Sequence, residues 1–153
     1  MLKDPGAAIK LRIAIMDIDE FEINVMLLAL RGSDDWVVKM RSQISHLKFS
    51  KREHFNCGFV TSFNHSSKAE SVVIPRDETG LPVSGYPPAI NARRRYPVDG
   101  LVSFLVWVGQ DGVIDRLEAV SLTDDKWPED IFDGFYDFQD DFGCIVQVTA
   151  DNK

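Results

Sequence analysis

The tightest constraint in the chain is the stretch Asp99 to Pro128. Leu101 to Val108 is an almost unbroken apolar run rich in β-branched and aromatic residues, Gly109-Gln110-Asp111-Gly112 has the chemistry of a tight turn, and Val113 to Leu122 runs back. The pattern predicts a β-hairpin. Val102, Phe104, Val106 and Val108 fall on one face of its first strand and Leu101, Leu105 and Trp107 on the other. A strand apolar on both faces belongs in the middle of a sheet that is covered on both sides. Asp115, Arg116 and Glu118 on the returning strand mark where that strand meets water.

Upstream, the period changes. Ala7 to Met16 alternates loosely as a first strand, whereas Ile23, Met26, Leu27 and Leu30 are spaced for one helix face, with Gly32 placed to stop it. Ser33-Asp34-Asp35 opens a second helix with an N-cap and first-turn acids, and Trp36, Val37, Met40, Ile44 and Leu47 continue at helical spacing to an end near His46. Cys57 to Phe63 reads as a strand in which Gly58 marks a bulge or a close backbone approach. Ser71 to Ile74 reads as a short strand, Pro75 to Pro88 as an irregular loop, Ala89 to Tyr96 as an edge strand, and Gly143 to Thr149 as a last strand. A short helix is expected from Pro128. The order predicts a single α+β domain over 1–153: two N-terminal helices packed on a mainly antiparallel β-sheet.

Composition narrows the function classes. At 153 residues, 44% hydrophobic and 27% charged, the chain has the profile of one globular domain with a real core and no membrane-length apolar run, which points to a cytoplasmic protein. Cys57 and Cys144 read as two buried thiols rather than a disulfide. The formal charge of −7 is local: residues 124–141 hold eight carboxylates against Lys126 alone, which equals the charge of the whole chain. Such a field repels nucleic acid and anionic membranes and speeds encounter with a basic partner.

Motifs for chemistry are scarce. His54 and Cys57 have an H-x-x-C spacing with His46 and His65 nearby, but no further pattern completes a zinc ligand set, so neither metal nor cofactor is expected. No nucleophile elbow, P-loop or dinucleotide fingerprint appears, and no catalytic residue is expected. The one basic run, Arg93-Arg94-Arg95, suits an edge strand or pairing with the acidic segment better than a nucleic-acid face. The segment 124–142 sets aromatics among acids. Asp124, Asp125, Trp127, Asp130, Asp133, Tyr136, Asp137, Asp140 and Asp141 are the candidate partner-binding residues, the rings as anchors and the carboxylates as a charged rim. The competing assignment turns the rings into the core and leaves the acids merely solvated. Asp34, Asp35 and Trp36 form a weaker candidate of the same kind.

Gly58, Phe59 and Phe63, followed by Gly100, Phe104, Asp111, Gly112, Leu117, Glu118, Trp127 and Pro128, resemble a widespread bacterial family of small proteins. That family has a G-F-F-x-x-F strand and a D-G-x-L-x-x-L-E…W-P hairpin. Val60 and Val106 depart from it where relatives often carry aromatics. Similar proteins accompany polymorphic toxins and contact-dependent growth inhibition systems. The resemblance implies an α+β fold and, less directly, an immunity protein whose partner is a cognate toxin domain. A small enzyme or ligand-binding domain with a pocket between the sheet and the Pro-rich loop, and a housekeeping interaction domain, stay open beside it, as does the oligomeric state.

Overall fold

Asp19 opens the first helix, α1 (Glu20–Ala29): its carboxylate accepts from the Phe21 N–H at 2.8 Å, and Glu20 and Glu22 place negative charge in the first turn. The computed structural model describes residues 18–95, 99–123, 126–127, 132 and 134–146. The strand expected over residues 7–16 lies outside them. The second helix, α2 (Asp35–Gln43), has Asp34 at its N-cap position without a side-chain capping bond and runs into a 3₁₀ turn at Ile44–His46. Arg41 fastens the helix pair, donating to the carbonyls of Leu30 and Gly32 that the end of α1 leaves open. The expectation that both helices are N-terminal is corrected: among the described residues they span Glu20–Ala29 and Asp35–Gln43.

Among the described residues six strands follow: β1 (Leu47–Phe55), β2 (Gly58–His65), β3 (Ala89–Arg94), β4 (Gly100–Val108), β5 (Ile114–Ser121) and β6 (Phe135–Gln139). They form one antiparallel sheet in the order β1-β2-β5-β4-β3-β6. The fold is α+β, and the β4–β5 hairpin occupies its centre. Phe59, Thr61, Phe63, Ile90, Ala92, Val102, Phe104, Val106, Leu117 and Ala119 are buried on the face that α1 covers across β3 and β4. On the opposite face of β4, Leu101, Leu105 and Trp107 are only half-buried. Cover there is partial: Tyr86 meets the Trp107 ring edge-on at 5.8 Å, and the Arg116 guanidinium lies 4.9 Å from that ring.

Several sequence expectations are corrected. Leu47–Phe55 is a full strand, although its run of charges hides any alternation; it is an outer strand, where charged side chains keep water on one face and discourage edge pairing. Neither thiol is buried: Phe55 and Cys57 are exposed at the turn between β1 and β2, Cys144 is exposed beyond β6, and both thiols are free. Residues 71–74 form no strand; Val72 is held instead by its N–H bond to the Gly112 carbonyl at 2.8 Å. β3 is not an edge, because β6 pairs along its far side. Gly58 does mark a close approach, since a Cβ there would sit 1.9 Å from the Ala119 carbonyl oxygen.

Two buried polar side chains weld distant segments. Gln43, at the end of α2, donates to the carbonyls of Glu70 and Gly112 at 2.6 and 2.9 Å and accepts from the Ile114 N–H at 2.9 Å. Glu22 accepts from Arg52 on β1 and from the Thr61 hydroxyl on β2. In each case a fully buried polar group is satisfied by partners far away in sequence, which fixes the helices' placement on the sheet more specifically than apolar contact does.

Candidate functional site

The acidic aromatic segment is built on β6. Asn91 pairs with Gln139 while Arg93 pairs with Tyr136, so β6 carries one extra residue, and Asp137 takes φ 48° within that bulge. The consequence is a change of face. Phe135 and Phe138, three apart, both turn inward and meet Phe104 at 5.7 and 6.4 Å, while Tyr136 and Asp137 are left outside. Phe132 packs on Phe21 and Phe59, and Trp127 on Phe59, Phe104 and Phe135. The rings form one cluster under the sheet.

This separates the candidate residues. Trp127 is 1% exposed, a core residue and no surface anchor. Tyr136 is half-buried; its hydroxyl donates to Asp99 at 2.9 Å, which raises its pKa, and the Arg95 guanidinium covers its ring at 4.4 Å. Asp137 and Asp141 are exposed. Asp140 is committed to the backbone, its carboxylate accepting from the N–H groups of Phe142 and Cys144 at 2.9 Å each, which closes the turn that brings Ile145 back beside Gln139. Asp124, Asp125, Asp130 and Asp133, and the helix expected from Pro128, lie outside the described residues.

The arginine run divides three ways. Arg93 lies 3.8 Å from Asp99, Arg95 stacks on Tyr136, and Arg94 is fully buried with its guanidinium 5.6 Å from the Trp127 ring centre. Strand alternation turns Arg94 inward and Arg93 outward, and Arg95 lies just past the end of β3. Of the weaker candidate, Asp34, Asp35 and Trp36, the last two line a cavity of about 530 Å³ with Lys39, Val72, Val73 and Pro75, between α2 and the start of the Pro-rich stretch, and Asp34 does not.

A second cavity, of about 670 Å³, opens at the end of the sheet between the last residues of β2 and the β4–β5 turn. Phe63, Asn64, His65, Gln110, Asp111 and Asp115 line it. His65 and Asp111 make a pair with Nε2 to Oδ2 at 2.7 Å, and the other ring nitrogen, Nδ1, faces the Ser66 carbonyl at 2.9 Å. These hydrogen bonds, first to Ser66 and then to Asp111, raise the histidine's pKa; the bond from His65 lowers that of Asp111. Burial raises the Asp115 carboxyl. The pair has the composition of an acid–base dyad, but with both ring nitrogens engaged the imidazole has no position left for a substrate proton. Sequence reasoning weighed His65 as a metal ligand; among the described residues no group of three or more His, Cys, Asp or Glu side chains is arranged to hold a metal ion. Nothing in the spacing of His65 and Asp111 announces their meeting, since antiparallel pairing of β2 with β5 brings them together across 46 residues.

Among the described residues no helix is long and apolar enough to cross a membrane. Compared with protein-family models, with curated proteins and with solved structures, the chain matches none.

Proposed function

We propose that the chain is a single α+β domain acting as a non-catalytic binding protein in the bacterial cytoplasm. In this reading it is an immunity protein that occludes a basic, nuclease-type toxin domain with the acidic surface of residues 124–141. The observation that carries the reading is the sorting of side chains on β6: the bulge packs half-buried Phe135 and Phe138 against the core and leaves Asp137 outside, with Asp141 exposed on the turn that follows. The acids are thus presented from a segment moored by its rings. A charge of −7 concentrated in eighteen residues gives a fast, salt-sensitive encounter with a cationic partner. The family resemblance of the β2 and β4–β5 motifs supports the same reading.

The test is a pull-down of the tagged protein from its own bacterium at low ionic strength, followed by association kinetics with the captured toxin fragment. Asp137→Lys with Asp141→Lys is expected to slow association about tenfold at low salt, an effect lost at high salt. Asp140 is left intact because its substitution would open the turn. Association unchanged at low salt removes this surface from the interface.

A further inference from the structure

The His65 ring has two hydrogen-bond partners, and both are acceptors: the Ser66 carbonyl at Nδ1 and the Asp111 carboxylate at Nε2. A neutral imidazole carries one N–H and would turn a lone pair toward one of these oxygens, whereas an imidazolium donates to both. The Asp111 side is equally committed. Its other carboxylate oxygen accepts from the Val113 N–H at 3.1 Å, and its backbone carbonyl accepts from the Ser71 hydroxyl at 2.7 Å. The β4–β5 turn is therefore anchored from behind by Ser71, Val72 and the buried Gln43, while His65 is its tie to the end of β2.

We propose that the His65–Asp111 contact is a proton-operated latch, in which an imidazolium at His65 fastens the chain leaving β2 to the β4–β5 turn and closes one wall of the 670 Å³ cavity between them. The charged groups on this cavity are Asp111 from the turn and Asp115 from β5, the latter 3.4 Å from Arg116. Across on β1, uncharged Leu47 is paired with His65, and Lys48, paired with Asn64, is exposed. Of the two acids, Asp111 is the one that favours the imidazolium, through its hydrogen bond and its charge. Loss of the ring proton sets an acceptor against an acceptor, and the contact opens at the His65 side chain, since the Ser66 N–H stays bonded to the His46 carbonyl at 2.9 Å while the turn keeps its bonds to Ser71 and Val113.

The histidine's pKa is raised from 6.5, so the latch is complete below 6.5 and is lost as pH climbs through the raised value. Asp111 is lowered from 3.8, so its contribution is present above 3.8 and is lost only as pH falls through that lower value.

The experiment is a nitrogen-15 NMR titration of the full chain from about pH 5 to 9, following the His65 ring nitrogens and the backbone amides. The expected result is two protonated ring nitrogens at the acid end of the titration, a midpoint above 6.5, and amides of Ser66, Gln110 and Asp111 that move with that midpoint while Ile114, held by Gln43, does not. Asp111→Asn, which keeps an acceptor for Val113, lowers the midpoint by about one pH unit. His65→Gln, which still donates an N–H but does not titrate, removes the pH response of the turn amides. A ring midpoint at or below 6.5, or turn amides indifferent to the ring's titration, overturns the latch.

Discussion

β1 and β6 are the outermost strands of one sheet, and each contains a bulge that brings residues three apart onto the inner face: Phe49 with Arg52 on β1, Phe135 with Phe138 on β6. What they insert differs. β1 sends in a guanidinium, which reaches the buried Glu22 carboxylate and lies 4.9 Å from the rings of both Phe49 and Phe132. β6 sends in two rings that join the cluster around Phe21, Phe104 and Trp127. One edge is fixed by a satisfied polar contact and the other by aromatic area. Their outer faces differ too, with Lys48 and the Lys51–Glu53 ion pair at 3.3 Å on β1 against exposed Asp137 on β6. The comparison teaches that a short strand with little ladder to hold it can still present charge firmly, provided large rings from it pack against the core.

The largest expected effect tests the aromatic edge. Trp127→Ala should cost about 3–5 kcal/mol, because it removes a fully buried indole from a cluster that touches Phe59, Phe104 and Phe135. Denaturant unfolding would measure it, and a loss near that of a surface substitution would mean that β6 is held by its ladder alone. Glu22→Ala tests the polar edge and should cost about 2–3 kcal/mol, since it strips the acceptor from Arg52 and Thr61 together. The Arg52 side chain is 24% exposed and recovers some solvation, which keeps the loss below that of a wholly buried pair. A double-mutant cycle with Arg52→Met should show coupling of about 1 kcal/mol, and additive losses would break the contrast between the edges. The smallest effect concerns the bulge itself. Asp137→Gly should raise stability by a few tenths of a kcal/mol or leave it unchanged, as glycine adopts φ 48° without steric cost, whereas Asp137→Val should lower it by about 1–2 kcal/mol.

These bulges also explain which parts of the fold were legible in advance. The β4–β5 hairpin was readable because its apolar run, its turn residues and its alternation agree, and the register from Val102 with Ser121 to Trp107 with Arg116 runs without interruption. The helices were readable from Ile23 and Trp36 onward because helical spacing survives single polar interruptions. β1 was not, since Lys48, Lys51, Arg52, Glu53 and His54 leave no period-two signal and a bulge shifts what little there is. On β6 the strict alternation of Phe135 and Asp137 against Tyr136 and Phe138 gives the wrong face for Phe138. The extra residue that corrects it is a property of pairing with β3.

The sequence by itself determined the class of secondary structure at the centre of the chain, the location of the negative charge, and the absence of familiar nucleophile and nucleotide motifs, because these depend on local propensity and residue type. Only the tertiary structure decided that Trp127 is core while Asp137 and Asp141 are surface, that the three consecutive arginines serve three different neighbours, and that His65 meets Asp111. Each of those is settled by which strands pair and in what register, and strand pairing is a long-range choice that satisfies buried backbone groups and apolar area together.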